Sequence, residues 1–186
     1  LHIPKKLGFD EGYVFVNTLN SARNPAYVAL VSGMIVPEYI AFLMNSFLFR
    51  LLLNSKSSKT TILTIERLKS LELPYCNLEI QTACGRLEHL TAQLKMSDTA
   101  LTREERLQLD LFTNLRDYLS LELFQSDFLK ETGIEFLTPF VKMMDGIGGE
   151  DMQCARQIAD ELLKPGNFLM ENMKKARILI NQKNQA

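Results

Sequence analysis

Asn54-Ser55-Lys56-Ser57-Ser58-Lys59-Thr60-Thr61 is the stretch of this 186-residue chain whose residue types are best suited to act together. Two ammonium groups and five hydroxyls within eight residues can donate to phosphate oxygens, and Ser, Thr and Asn also reach base edges. Arg50, one turn earlier, and Arg67 and Lys69 beyond would extend the same basic surface. The candidate DNA-binding residues are therefore Arg50, Lys56, Ser57, Ser58, Lys59, Thr60, Arg67 and Lys69. A solvated loop that keeps a helix end soluble has the same composition, and composition alone favours that second reading.

Other constellations carry less. Asn24-Pro25-Ala26-Tyr27 is similar to the Asn/Asp-Pro-Pro-Tyr/Phe box of adenine-N6 methyltransferases, where the amide and a carbonyl hold the target amine and the ring stacks on a flipped base. Ala26 replaces the second proline, and too little chain precedes it for the strand and Gly-rich turn that bind a methyl donor. An Asn-Pro turn entering a strand explains the same residues. Gly146-Ile147-Gly148-Gly149 lacks the Lys-Ser/Thr of a phosphate loop and reads as a helix connector. Cys84 and His89 lie off the spacing that brings two ligands to one helix face. No base accompanies any thiol as an activated nucleophile requires. The chain therefore reads as non-enzymatic, with no cofactor and no metal.

Net charge is −1 and the pI about 6.2, which excludes a chain that is basic throughout. The charge is uneven. Residues 1–76 hold eight Lys/Arg against five Asp/Glu, and residues 77–186 hold thirteen against seventeen. A phosphate backbone would meet the first part. Cys76, Cys84 and Cys154 are odd in number and irregularly spaced, which points to a reducing, cytoplasmic compartment. The apolar run Tyr39 to Leu53 is interrupted by Asn45, Ser46 and Arg50 and falls short of the roughly 20 residues of a membrane span, so it reads as a buried helix. The start at Leu1 suggests a domain cut from a longer protein.

These residues need elements to hold them. Tyr13-Val14-Phe15-Val16 and Tyr27-Val28-Ala29-Leu30-Val31 are β-rich runs between turn residues. Pro37 suits the first position of a helix running to about Leu53. Thr64 can cap a short helix from Ile65 to Leu71, which Pro74 ends. From Leu78 onward the pattern is helical almost throughout. Thr102-Arg103-Glu104-Glu105 fits a capping box before a helix bearing Leu107, Leu111, Leu115 and Leu119, a stripe that serves a core or a helix–helix interface between copies. The expectation is an α+β fold, predominantly helical, with a small mixed α/β part over residues 1–80 and an irregular helical part over 81–186.

The order Pro37-Glu38-Tyr39-Ile40, Met44-Asn45-Ser46, the hydroxyl-rich run Ser55 to Thr61, the helix Ile65 to Leu71, then Leu73-Pro74-Tyr75 and Leu78-Glu79-Ile80-Gln81 resembles the end of a target-recognition domain. Such domains belong to the specificity subunits of type I restriction-modification systems, and the same module is fused to the C-terminal ends of some N6-adenine DNA methyltransferases. The match covers about a quarter of the chain, residues 37–81. It implies recognition of double-stranded DNA by the mixed α/β part, and docking of the helices onto a methyltransferase or restriction subunit or domain. The resulting expectation is a non-catalytic DNA-recognition and subunit-assembly domain of a bacterial restriction-modification system. The alternatives are a helical protein–protein interaction module that has lost DNA binding, or a fragment of an adenine-N6 DNA methyltransferase.

Overall fold

The computed structural model describes residues 1–4, 13–16, 27–28, 35–54, 66, 72–96 and 100–183. Among these, eight helices follow one another: α1 (Pro37–Asn45), α2 (Phe47–Asn54), α3 (Leu78–Met96), α4 (Arg103–Phe124), α5 (Ser126–Thr132), α6 (Leu137–Gly146), α7 (Met152–Leu163) and α8 (Phe168–Lys183). Two of the local signals act as expected. Pro37 opens α1, and the Thr102 hydroxyl and Glu105 carboxylate close a capping box at the start of α4.

The α+β expectation is overturned: the described fold is helical. Among the described residues the strands are β1 (His2–Ile3) antiparallel to β2 (Tyr27–Val28), with His2 opposite Val28 and Ile3 opposite Tyr27, and Phe15 forms an isolated bridge. Two residues per strand make no layer. The β-rich run Tyr13 to Val16 lies against the helices as a strap. Both main-chain groups of Val14 are bonded by the side chain of Asn45, at 2.9 Å each, in place of a neighbouring strand. β-propensity reflects the fit of a side chain to a half-buried surface, and a helix pair supplies such a surface as well as a sheet does. Residues 29–31 of the second expected strand, and the helix expected over 65–71 apart from Glu66, lie outside the described residues.

The single helix expected from Pro37 to Leu53 breaks at Ser46, whose backbone is extended at φ −72°, ψ 149°. The Ser46 hydroxyl donates to the Leu43 carbonyl at 2.7 Å and accepts from the Phe49 N–H at 3.3 Å, so a side chain takes over backbone bonding at the break. Asp117, from α4, accepts the Phe47 N–H at 2.9 Å and caps the start of α2. The expected apolar stripe does not continue through α2. Phe47, Leu51 and Leu52, expected on the buried stripe, are 52%, 43% and 49% exposed, while Arg50 turns inward.

Tyr39, Phe42 and Leu43 of α1 share one core with buried residues of α3, α4, α6, α7 and α8, among them Leu87, Phe112, Phe140, Ile158 and Leu169. The boundary expected between residues 80 and 81 falls inside α3. Helices α1 and α3 approach closely at Gly85, where an added Cβ would stand 3.0 Å from the Cβ of Glu38. Leu111, Leu115 and Leu119 of α4 are in the core and Leu107 is exposed.

Helix α6 has no cap of its own. Glu122 of α4 provides one, accepting from the Phe136 N–H at 2.5 Å and the Leu137 N–H at 2.9 Å. Arg86 of α3 closes the other end, donating to the carbonyls of Met144 (2.9 Å), Ile147 (2.6 Å) and Gly149 (2.8 Å). Burial pushes the Glu122 carboxyl above the usual carboxylate range, although the two N–H bonds pull it down. The raised value means that the folded state holds this proton more tightly than the unfolded chain does. The contribution of Glu122 to stability should therefore decline as pH rises from the ordinary carboxylate pKa through the raised one. Glu122→Ala is expected to cost about 1–2 kcal/mol through two uncapped N–H groups. Glu122→Gln should cost less and remove that decline, which denaturant unfolding across mildly acidic pH measures.

Candidate functional site

The polar centre of the fold lies where the strap, α1, α2, α3 and α4 meet. Asn45, the last residue of α1, is its junction, and its amide uses all of its hydrogen-bonding capacity. The Nδ2 group donates to the Val14 carbonyl at 2.9 Å and to Glu88 Oε1 at 2.8 Å. Its Oδ1 accepts from the Val14 N–H at 2.9 Å and from Arg50 Nη2 at 3.3 Å. Glu88 of α3, whose side chain is 3% exposed, also accepts from the Tyr13 hydroxyl and from Arg116 Nη1 of α4 at 3.3 Å. Lys95 Nζ lies 4.4 Å over the Tyr13 ring.

Two guanidinium groups, Arg50 and Arg116, and the Lys95 ammonium face two carboxylates, Glu88 and Asp117, here. Burial lowers the Arg50 pKa, and Arg116 lowers it further. Burial also acts to lower that of Arg116, but Glu88, Tyr13 and Asp117 outweigh it and hold this guanidinium above its ordinary range. Burial raises the Tyr13 hydroxyl, reinforced by Glu88. Burial raises Asp117 as well, partly offset by the Phe47 N–H and Arg116. These groups are arranged to fix geometry. They lack the pairing of nucleophile and base that covalent chemistry requires, and no group of His, Cys, Asp and Glu among the described residues could hold a metal ion.

The first correction to the candidate DNA-binding set follows. Arg50 is 7% exposed and bonded to Asn45, so its guanidinium is not presented to a phosphate backbone. It ties α2 to the junction instead. Lys56, Ser57, Ser58, Lys59, Thr60, Arg67 and Lys69 lie outside the described residues. The residues that sequence reasoning passed over are Tyr13, Asn45, Glu88, Arg116 and Asp117. A signal was present: Glu88 sits among Cys84, Leu87 and Thr91, and Arg116 between Phe112 and Leu119, so both are charged residues on the core face of a helix. Charges there are stable only when paired.

No protein family, curated protein or solved structure matches the chain. No helix among the described residues is long and apolar enough to cross a membrane.

Proposed function

We propose that the chain is a non-catalytic DNA-recognition and subunit-assembly domain of a bacterial restriction-modification system, its partners double-stranded DNA and a methyltransferase or restriction subunit. The supporting observation is the mounting of α2. This helix ends at Asn54, immediately before the basic, hydroxyl-rich run 55–61, and its base is held by the Asp117 cap and by Arg50 on the Asn45–Glu88–Arg116 junction. A stiff, anchored helix limits the ordering cost of a recognition segment attached to it. In this reading Arg50 belongs to the mount, and Lys56, Ser57, Ser58, Lys59, Thr60, Arg67 and Lys69 remain the candidate contacts.

Lys56→Ala/Lys59→Ala is expected to weaken duplex binding and to reduce the slope of log K against log salt by about 1.8, two phosphate contacts at roughly 0.9 each. An unchanged slope removes the loop assignment. The exposed apolar residues Phe47, Leu51 and Leu52 favour a second reading, a helical protein–protein interaction module without DNA binding. Tight association with a methyltransferase partner, with no affinity for duplex DNA at any salt concentration, selects it.

A further inference from the structure

A pocket of about 380 Å³ opens between α2, α4 and α8. Its apolar lining includes Phe47 of α2, Tyr118 and Leu121 of α4, and Ile180 of α8. Asn114 and Asp117 line it beside them. Positions 114, 117, 118 and 121 recur at helical spacing, so one stripe of α4 carries both polar groups and two of the apolar ones. The Tyr118 ring also packs on Phe136, with centroids 5.4 Å apart and planes at 41°, which limits its rotation. A mostly apolar pocket of this size, with a few placed polar groups, has the form of a small-molecule site.

The polar groups narrow the class of ligand. Among the described residues both polar contacts of Asp117 use Oδ1, the Phe47 N–H at 2.9 Å and Arg116 Nε at 3.9 Å. Oδ2 is left to accept from a ligand. Arg116 and Arg50 already offset the Asp117 charge, so Oδ2 suits a neutral N–H donor better than an ammonium. The Asn114 amide, three residues earlier on the same stripe, adds one donor and one acceptor. An amino group beside a ring nitrogen matches this set: one amine hydrogen to Asp117, the other to the Asn114 oxygen, and the ring nitrogen to the Asn114 N–H. The two aromatic side chains, Phe47 and Tyr118, suit the faces of a flat ring.

We propose that this pocket binds an amino-substituted nucleobase, its ring against Phe47 and Tyr118 and its exocyclic amine on Asp117 and Asn114. The test is calorimetric titration of the full chain with adenosine and with inosine, which carries a carbonyl in place of the amine. Saturable one-to-one binding of adenosine is expected, with inosine at least tenfold weaker because its carbonyl meets the Asp117 carboxylate. Asp117→Asn keeps an oxygen for the Phe47 N–H and turns an N–H₂ to the pocket, so inosine should then bind at least as tightly as adenosine. Asn114→Ala, at an exposed position, should weaken adenosine about tenfold. Circular dichroism establishes that each variant is folded, and should Asp117→Asn not fold, Asn114→Ala decides. Competition by single-stranded oligodeoxyadenylate tells a base carried on a strand from a free nucleoside. No saturation by adenosine, equal binding of the two nucleosides, an unchanged preference in folded Asp117→Asn, or wild-type affinity in Asn114→Ala overturns the proposal, because the pocket would then be an apolar groove that reads no ring edge.

Discussion

Glu88→Ala is expected to cost about 3–5 kcal/mol, the range for removing one member of a buried ion pair and leaving the other uncompensated. Three groups lose a partner at once: Arg116 Nη1, Asn45 Nδ2 and the Tyr13 hydroxyl. Against a total stability of about 5–15 kcal/mol for a domain, such a loss would leave the chain close to unfolding at ambient temperature. Glu88→Gln should cost less, since its amide oxygen still accepts, but it leaves the buried guanidinium groups short of one negative charge. Denaturant unfolding of the three proteins measures this. A loss below about 1 kcal/mol in the alanine variant would show that water reaches these groups, and the junction would not be the buried lock described above.

Phe42→Ala should cost a similar amount for a different reason. Phe42 is 0% exposed and packs within the cluster that reaches from α1 to α8. Truncating a buried Phe removes transfer free energy and leaves a cavity, together about 3–5 kcal/mol. Because the cluster is continuous, unfolding should remain one cooperative transition at a lower denaturant midpoint. Two transitions, of which only the first shifts, would mean that the segment before α3 folds as a unit of its own.

Local signals in the sequence were readable. A proline at a helix start and a Thr/Glu capping box act within four residues, so Pro37 and Thr102–Glu105 announce their helices without help from the rest of the chain. The fate of Arg50 was not readable, although its neighbours in the sequence hold the cause. The expected apolar stripe puts Phe47 and Leu51 inside and carries no sign that the charged Arg50 joins the core. The helix breaks at one extended residue, Ser46, and the Phe47 N–H that follows is held by the distant Asp117, while Phe47 and Leu51 are exposed and Arg50 is buried. The strand expectation failed in a related way. Tyr13 to Val16 has the composition of a strand, but only Phe15 forms a bridge, and the main chain of Val14 meets the amide of Asn45, which no pattern of alternation encodes. Glu88 and Arg116 each stand among the apolar residues of a helix, which marks a charge in need of a partner without naming it. Their pairing, across a separation of 28 residues, exists only once α3 and α4 are side by side. The basic run after Asn54 holds the proposed contact residues, and the salt-dependence test decides whether they meet DNA.

The reach of α4 has a consequence for how the protein is made. Arg116, Asp117 and Glu122 supply the counter-ion of Glu88, the cap of α2 and the cap of α6. The α2 cap spans 70 residues of chain and the Tyr13–Glu88 bond 75. During synthesis, then, α1, α2 and α3 leave the ribosome well before the residues that neutralise and terminate them. A nascent chain that ends before Arg116 carries Glu88 without its salt-bridge partner and α2 without its Asp117 cap. The N-terminal helices must therefore wait for α4, and contacts of such long sequence separation are the slow ones to form.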